Sequence, residues 1–298
     1  MPSSRKKDKY DKWRKEIEEE RRQKIAGEAP EPEDALELEN TRGTNEPQEP
    51  IGVYNPKPQR RIREPSFGEE LSSVFSYPFY GEGRSLMIAG TVFISIIYFL
   101  NTSFGLFSLL FTFLKFFLVF YLSAFMFKII VYSSSGEDEL PDWPDIVDFF
   151  GDLLQPFFYL ISTIVFSFLP TVIYYYFYRE ISYTNPIFLL TVIWGVFYLP
   201  MGLIAVAMFG TLSVLSPTVI LPSIKRITSD YFTACASLFI IIAVEIAGEH
   251  LIKKIDFPIL TIPVYSFLTL YFLAVEMRIL GLVYYTNRHR LGWYTEDF

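Results

Sequence analysis

The chain has 298 residues, 51% of them hydrophobic and 18% aromatic, with 30 Phe and 20 Tyr. A formal net charge of −7 argues against nucleic acid as a partner, and the single cysteine, Cys235, excludes an intramolecular disulfide and any CxxC metal motif. Charge is concentrated in residues 1–85 and in the loops, whereas Leu86 to Tyr285 is a series of long apolar runs that a soluble core has no use for.

Residues 1–66 read as a charged, largely disordered arm on the cytoplasmic side. Within residues 5–24 both signs of charge are dense, and Glu18 with Arg22 and Glu20 with Lys24 are i,i+4 pairs in the favourable order. That pattern suits a solvated, partly formed helix; the sharper alternative is a docking helix for a partner. Residues 27–50 are acidic and proline-rich and bury too little apolar surface to offset chain entropy. A basic cluster follows, with Lys57, Arg60, Arg61 and Arg63. These are candidate lipid-headgroup contacts, each worth about 1 kcal/mol beside an anionic surface, and they serve equally as a plain topology signal. No apolar stretch in the first thirty residues resembles a cleavable signal peptide, so the first membrane helix is expected to direct insertion.

The predicted transmembrane domain covers residues 67–293, with a short tail at 294–298. Residues 67–80 mix aromatic and polar groups and suit the interface. Six crossings are expected, at about 86–101, 106–131, 157–178, 187–209, 232–251 and 258–285. Each has to be helical, because lipid offers no partner for an exposed backbone donor or acceptor. With both termini inside, the cytoplasmic side holds Lys57, Arg60, Arg61, Arg63, Arg84, Lys128, Lys225, Arg226, Arg288 and Arg290. The other side holds Arg179, Lys253 and Lys254, which fits the positive-inside rule.

Two interfacial segments are predicted. In the first, Asp142, with Pro144 close by, signals a helix start, and Asp145, Asp148 and Asp152 share one helical face opposite Ile146, Phe149, Phe150 and Leu153. This reads as a short acidic amphipathic helix in the membrane plane, with Trp143 at the headgroup level. Seven carboxylates between Glu137 and Asp152 raise a hard-cation site, but the spacing and central glycine of a calcium loop are absent, so no metal is assigned. The second segment, Ser216–Arg226, carries Pro217 and Pro222 five apart, which argues against a regular helix throughout. It is expected to skim the inner face, anchored to headgroups by Lys225 and Arg226, with Ser229 or Asp230 capping the fifth span.

Four ionisable residues fall inside spans: Lys115, Glu245, Glu276 and Arg278. Such groups are costly in lipid and face a bundle interior or water. Lys115 and Glu245 are the candidate intramembrane pair, read either as a tie between helices or as the lining of a polar path. Glu276 and Arg278, near the inner end of the last span, are expected to snorkel. No HExxH, GxSxG, P-loop or GxGxxG motif is present, so neither a catalytic residue nor a cofactor is assigned and a non-enzymatic role is expected.

Four patches together carry a resemblance: Ser76–Phe79, Leu140–Asp145, Pro222 and Ile224 with Asp230 and Tyr231, and Leu280–Tyr285 through Arg290–Trp293. In that order they resemble a family of uncharacterised bacterial polytopic membrane proteins that share an LPDW-type loop and a closing RLGW-like patch. The resemblance covers about residues 76–293 and implies an inner-membrane location, without an activity to carry over. The sequence thus points to an all-α helical membrane bundle that scaffolds or modulates partners or lipid. Its expected partners are membrane lipid, anionic lipid included, and a protein bound through the N-terminal arm. The alternative is a small-solute transporter or channel using Lys115 and Glu245.

Overall fold

The computed structural model describes residues 66–103, 108–144, 148–179, 181, 184–252, 254–255 and 257–293. The arm, including Lys57, Arg60, Arg61 and Arg63, lies outside the described residues, as do Asp145, Lys253 and the tail at 294–298.

Among the described residues all regular secondary structure is helical, and no strand is present. A short α1 (Phe67–Leu71) and a 3-10 turn (Tyr77–Phe79) precede α2 (Gly83–Ser103) and α3 (Ser108–Ser134). A π-turn (Phe149–Leu154) runs directly into α4 (Gln155–Ser167), then α5 (Leu169–Tyr178) and α6 (Pro186–Phe209). A 3-10 turn (Leu212–Leu215), α7 (Pro217–Arg226), α8 (Thr228–Ile252) and α9 (Pro258–Leu291) complete the fold. Among the described residues six helical stretches are long and apolar enough to cross a bilayer: Gly83–Asn101, Leu110–Ser134, Phe149–Ser167, Pro186–Phe209, Thr228–Ile252 and Pro258–Leu291. The protein is therefore an all-α polytopic membrane bundle, as its apolar runs predict.

The helices are packed unevenly along their length. On α9, Ile259, Leu260 and Val264 are exposed, whereas from Leu270 to Leu291 most side chains are buried. The same gradient runs along α6, from exposed Ile187, Leu190 and Ile193 to buried Met201–Val206. It reverses in α8, which runs the other way: Tyr231, Ala234, Cys235, Leu238 and Ile241 are buried, and Val244, Ile246 and Leu251 are not. Lipid tails are as apolar as Leu and Ile, so spans need not bury such residues against one another within the hydrocarbon. Near water they must. The core accordingly gathers at the end that carries the loops after α3 and α6. At 1.5 Å per residue α9 is about 51 Å long, well beyond a hydrocarbon layer of about 30 Å.

Several local expectations are corrected. The acidic helix expected in the membrane plane is instead the start of the third crossing, because the π-turn at Phe149 continues into α4 without a break. Asp148 is its N-cap residue, and its backbone N–H donates to Asp152 Oδ2 at 3.1 Å. Asp148 is exposed and Asp152 partly buried. The third crossing then breaks at Phe168 (φ −96°, ψ 10°), just before Pro170 in the first turn of α5. Ser216–Arg226 forms a regular helix despite its prolines. Pro217 occupies the first turn, where its missing N–H is no loss, and Pro222 removes a single interior hydrogen bond. The fifth span begins at Thr228, so Asp230 lies inside its first turn rather than capping it.

Candidate functional site

Three polar constellations stand out. The first is built on Arg278, which is 2% exposed and therefore does not snorkel. Its guanidinium donates from Nη1 to the Glu137 carbonyl and from Nη2 to Asp138 Oδ1 at 2.6 Å, and its Cζ lies 4.6 Å from the centroid of the Tyr77 ring. Tyr77 comes from the 3-10 turn before α2, and Glu137 and Asp138 from the loop after α3. One arginine thus ties two loops to α9. Local sequence makes this possible. Gly136 turns the chain at φ +83°, and a Cβ there would meet the Tyr285 ring at 2.5 Å. Leu140, Pro141 and Pro144 are buried and Asp142 is exposed, so the loop presents its apolar members inward.

Burial pushes the Tyr77 hydroxyl up to about 12, with Ser133 and the Arg278 charge acting against it. The Tyr77 and Ser133 hydroxyls are neighbours, but neither makes an aligned hydrogen bond, and Arg278 Nε is also unpartnered. α3 and α9 are in close contact just beyond this node. A Cβ on Gly281 would lie 2.3 Å from Ser133 Cβ and 2.8 Å from the Ile130 carbonyl oxygen.

Trp143 is packed against α3. Its ring stacks on Phe125 (4.6 Å) and Tyr121 (5.6 Å) of α3, while its carbonyl accepts from Lys128 Nζ at 3.4 Å. Gly90 of α2 makes the space, since a Cβ there would lie 2.5 Å from Trp143 Cζ2. The loop is thereby wedged between α2 and α3.

The second constellation closes the chain. Gly292 (φ +59°) ends α9 and donates from its N–H to the Arg288 carbonyl at 3.1 Å. The reversal places Trp293 against Phe209 and Tyr284, where Nε1 donates to Ser223 Oγ at 2.9 Å. Arg226 donates to the Leu291 carbonyl, capping α9, and Arg290 pairs with Asp230 at 3.5 Å. Of the two residues in α7 expected at headgroups, Arg226 is engaged in this cap, and Lys225 is exposed at the end of the helix.

The third constellation lies within the spans. Lys115 and Glu245 form no ion pair. The Lys115 ammonium instead sits 4.8 Å from the Tyr98 ring centroid on α2, and Tyr98 meets Tyr265 of α9 edge-on at 6.1 Å. Tyr265 is within hydrogen-bonding reach of Glu249 and Thr269. Glu245 of α8 is in electrostatic contact with Glu249 and with Glu276 of α9, whose Oε1 is buried without a partner. The expected pair is thus replaced by a longer array crossing four helices. Among the described residues no group of three or more His, Cys, Asp or Glu could hold a metal ion.

The Arg278 node escaped the sequence reading, yet it had a signal: a lone arginine in an apolar run, with the acidic loop Glu137–Asp142 at the same end of the bundle. Of the four patches that carry the resemblance, the first and second come together beside Gly83, where a Cβ would lie 2.6 Å from the Pro78 carbonyl oxygen and 3.4 Å from Leu140 Cβ, and the third and fourth meet in the Arg290–Asp230 pair. No family model, curated protein or solved structure matches the chain.

Proposed function

We propose that the protein is a non-enzymatic scaffold or modulator of membrane partners or lipid, in a bacterial inner membrane with both termini cytoplasmic. The observation that supports this reading most is the concentration of structure at one end of the bundle. The turn before α2, the acidic loop, α7 and the closing Trp293 are all fastened to the buried half of α9. Such an end offers a fixed platform for a partner or for lipid headgroups. Basic residues of that arm (Lys57, Arg60, Arg61 and Arg63) and exposed Lys225 supply the charge for anionic headgroups. The family resemblance is in keeping with the inner-membrane placement.

Extraction of the protein with its surrounding lipid, followed by mass spectrometry, tests the proposal. A stoichiometric protein or anionic lipid that is lost on deletion of residues 1–63 is the expected result. Unchanged co-purification after the deletion refutes a role for the arm.

A second reading, small-solute or proton passage, is favoured by the array of Lys115, Tyr98, Tyr265, Glu249, Glu245 and Glu276, because intramembrane ionisable groups mark such paths. On that reading Lys115→Met or Glu245→Gln abolishes flux into proteoliposomes and deletion of residues 1–50 does not. On the scaffold reading the deletion is the damaging change.

A further inference from the structure

Between α2 and α3 lies a cavity of 260 Å³ lined by Ala89, Phe93, Phe117, Leu118, Tyr121 and the Trp143 ring. We propose that it is a binding site for one acyl chain of a bilayer lipid, which enters sideways between these two helices and lies against Trp143. This deepens the scaffold-or-modulator reading by naming a lipid site, and it rests on observations separate from the arm.

The position of the cavity excludes water as its natural content. Ala89 lies six residues into α2, roughly 9 Å from the start of the helix, and Phe117–Tyr121 lie in the middle of the α3 span. The lining is almost wholly apolar, so a water there would lack the two to four polar partners it needs. The cavity is open on one side rather than enclosed, so apolar matter from the surroundings has access to it. Here the void follows from residue size: Ala89 is small, and Gly90 has yielded its space to the Trp143 ring.

The geometry also gives an entrance. Ala89 and Phe93 are exposed on the lipid side of α2, and the Phe117 ring stacks on Phe149, itself partly exposed, at the head of the third crossing. The mouth therefore opens to the phase that surrounds a membrane helix, and the most abundant slender apolar solute in that phase is an acyl chain. One end is closed by the Trp143 ring, which stacks on Phe125, and the Trp143 backbone carbonyl accepts from Lys128 Nζ. A chain in this site would touch the loop that Arg278 clamps, so lipid occupancy and the position of the acidic loop are mechanically linked through Trp143.

The test uses the full chain in phosphatidylethanolamine and phosphatidylglycerol vesicles doped with a phosphatidylglycerol that carries a diazirine in one acyl chain. After illumination, adducts are mapped by peptide mass spectrometry. Adducts concentrated on Phe93, Phe117, Tyr121 and Trp143 are expected, in excess of those on the exposed residues Phe113 and Leu190. Ala89→Phe, which fills the void from an exposed position, should reduce the lining adducts to the level of those exposed residues and leave Phe113 and Leu190 unchanged. Adducts spread evenly over all exposed span residues in the wild type overturn the proposal, whether or not the variant folds. So do lining adducts that persist in a folded Ala89→Phe protein. Neither result bears on partner binding through the arm, which the deletion of residues 1–63 reads separately.

Discussion

Replacing Arg278 with methionine should release the loop at Glu137–Trp143 from α9 while all six helices remain inserted. The wild-type guanidinium makes two hydrogen bonds, to the Glu137 carbonyl and to Asp138, and stacks at 4.6 Å on Tyr77. Hydrogen bonds to a charged group are worth about 1.5–3 kcal/mol each, and a desolvated cation–π contact about 2 kcal/mol. Two effects reduce the net loss. Methionine spares the several kcal/mol that burying a charge costs, and Asp138, 77% exposed, is rehydrated easily, so its ion pair is discounted towards the surface range of about 0–1 kcal/mol. A net loss of about 2 kcal/mol remains, or about thirty-fold in an opening equilibrium. Hydrogen–deuterium exchange in lipid nanodiscs should show residues 136–143 exchanging faster by about that factor, with α6 and α8 unchanged. Lysine at 278 should behave nearly as badly as methionine, because it cannot fork between a carbonyl and a carboxylate. If exchange in the loop is unaltered and the melting temperature rises, the buried arginine is a net burden rather than a clamp, and the reasoning fails.

Gly281→Ala should lower the thermal midpoint by the equivalent of about 1–3 kcal/mol, the usual cost of overpacking, since its Cβ meets Ser133 and the Ile130 carbonyl oxygen; an unchanged midpoint would show that α3 and α9 are not in close contact there. Trp293→Phe keeps the rings of Phe209 and Tyr284 covered but drops the bond to Ser223, so it should cost about 0.5–1.5 kcal/mol, and Trp293→Ala clearly more, as read by thermal unfolding in detergent. Alkaline titration has a definite sign at Tyr77. Below pH 10 both folded and unfolded chains hold its proton; between 10 and about 12 only the folded chain does, so this residue's contribution to stability falls as pH rises, by up to about 3 kcal/mol. The difference between wild type and Tyr77→Phe across that window isolates the effect, and parallel pH profiles would sink it.

The six crossings and their order were legible in the sequence because the constraint is local. An apolar run in lipid has to be helical to satisfy its own backbone, and its length is set by the bilayer. Predicted ends such as 187–209 and 232–251 fall close to Pro186–Phe209 and Thr228–Ile252. The segment Asp142–Asp152 shows where local reasoning stops. Its amphipathic periodicity is real, but periodicity does not distinguish a helix lying on the membrane from the first turns of one that enters it.

Side-chain pairing was beyond the sequence, which ranked partners by charge and depth along each helix. That logic joined Lys115 to Glu245 and left Arg278 to the solvent. Which charge meets which depends on how the helices are rotated and on where the loops fold back. The tertiary structure turns Lys115 towards Tyr98, brings Glu245 beside Glu276, and lays the acidic loop over Arg278. The sequence by itself determined that this chain is an all-α membrane bundle, because backbone hydrogen bonding in hydrocarbon permits nothing else for such runs. Only the tertiary structure decided which end of the bundle is solid and what fastens it, because those contacts join Tyr77, Asp138, Ser223 and Trp293 to partners 65 or more residues away, beyond the reach of any periodicity.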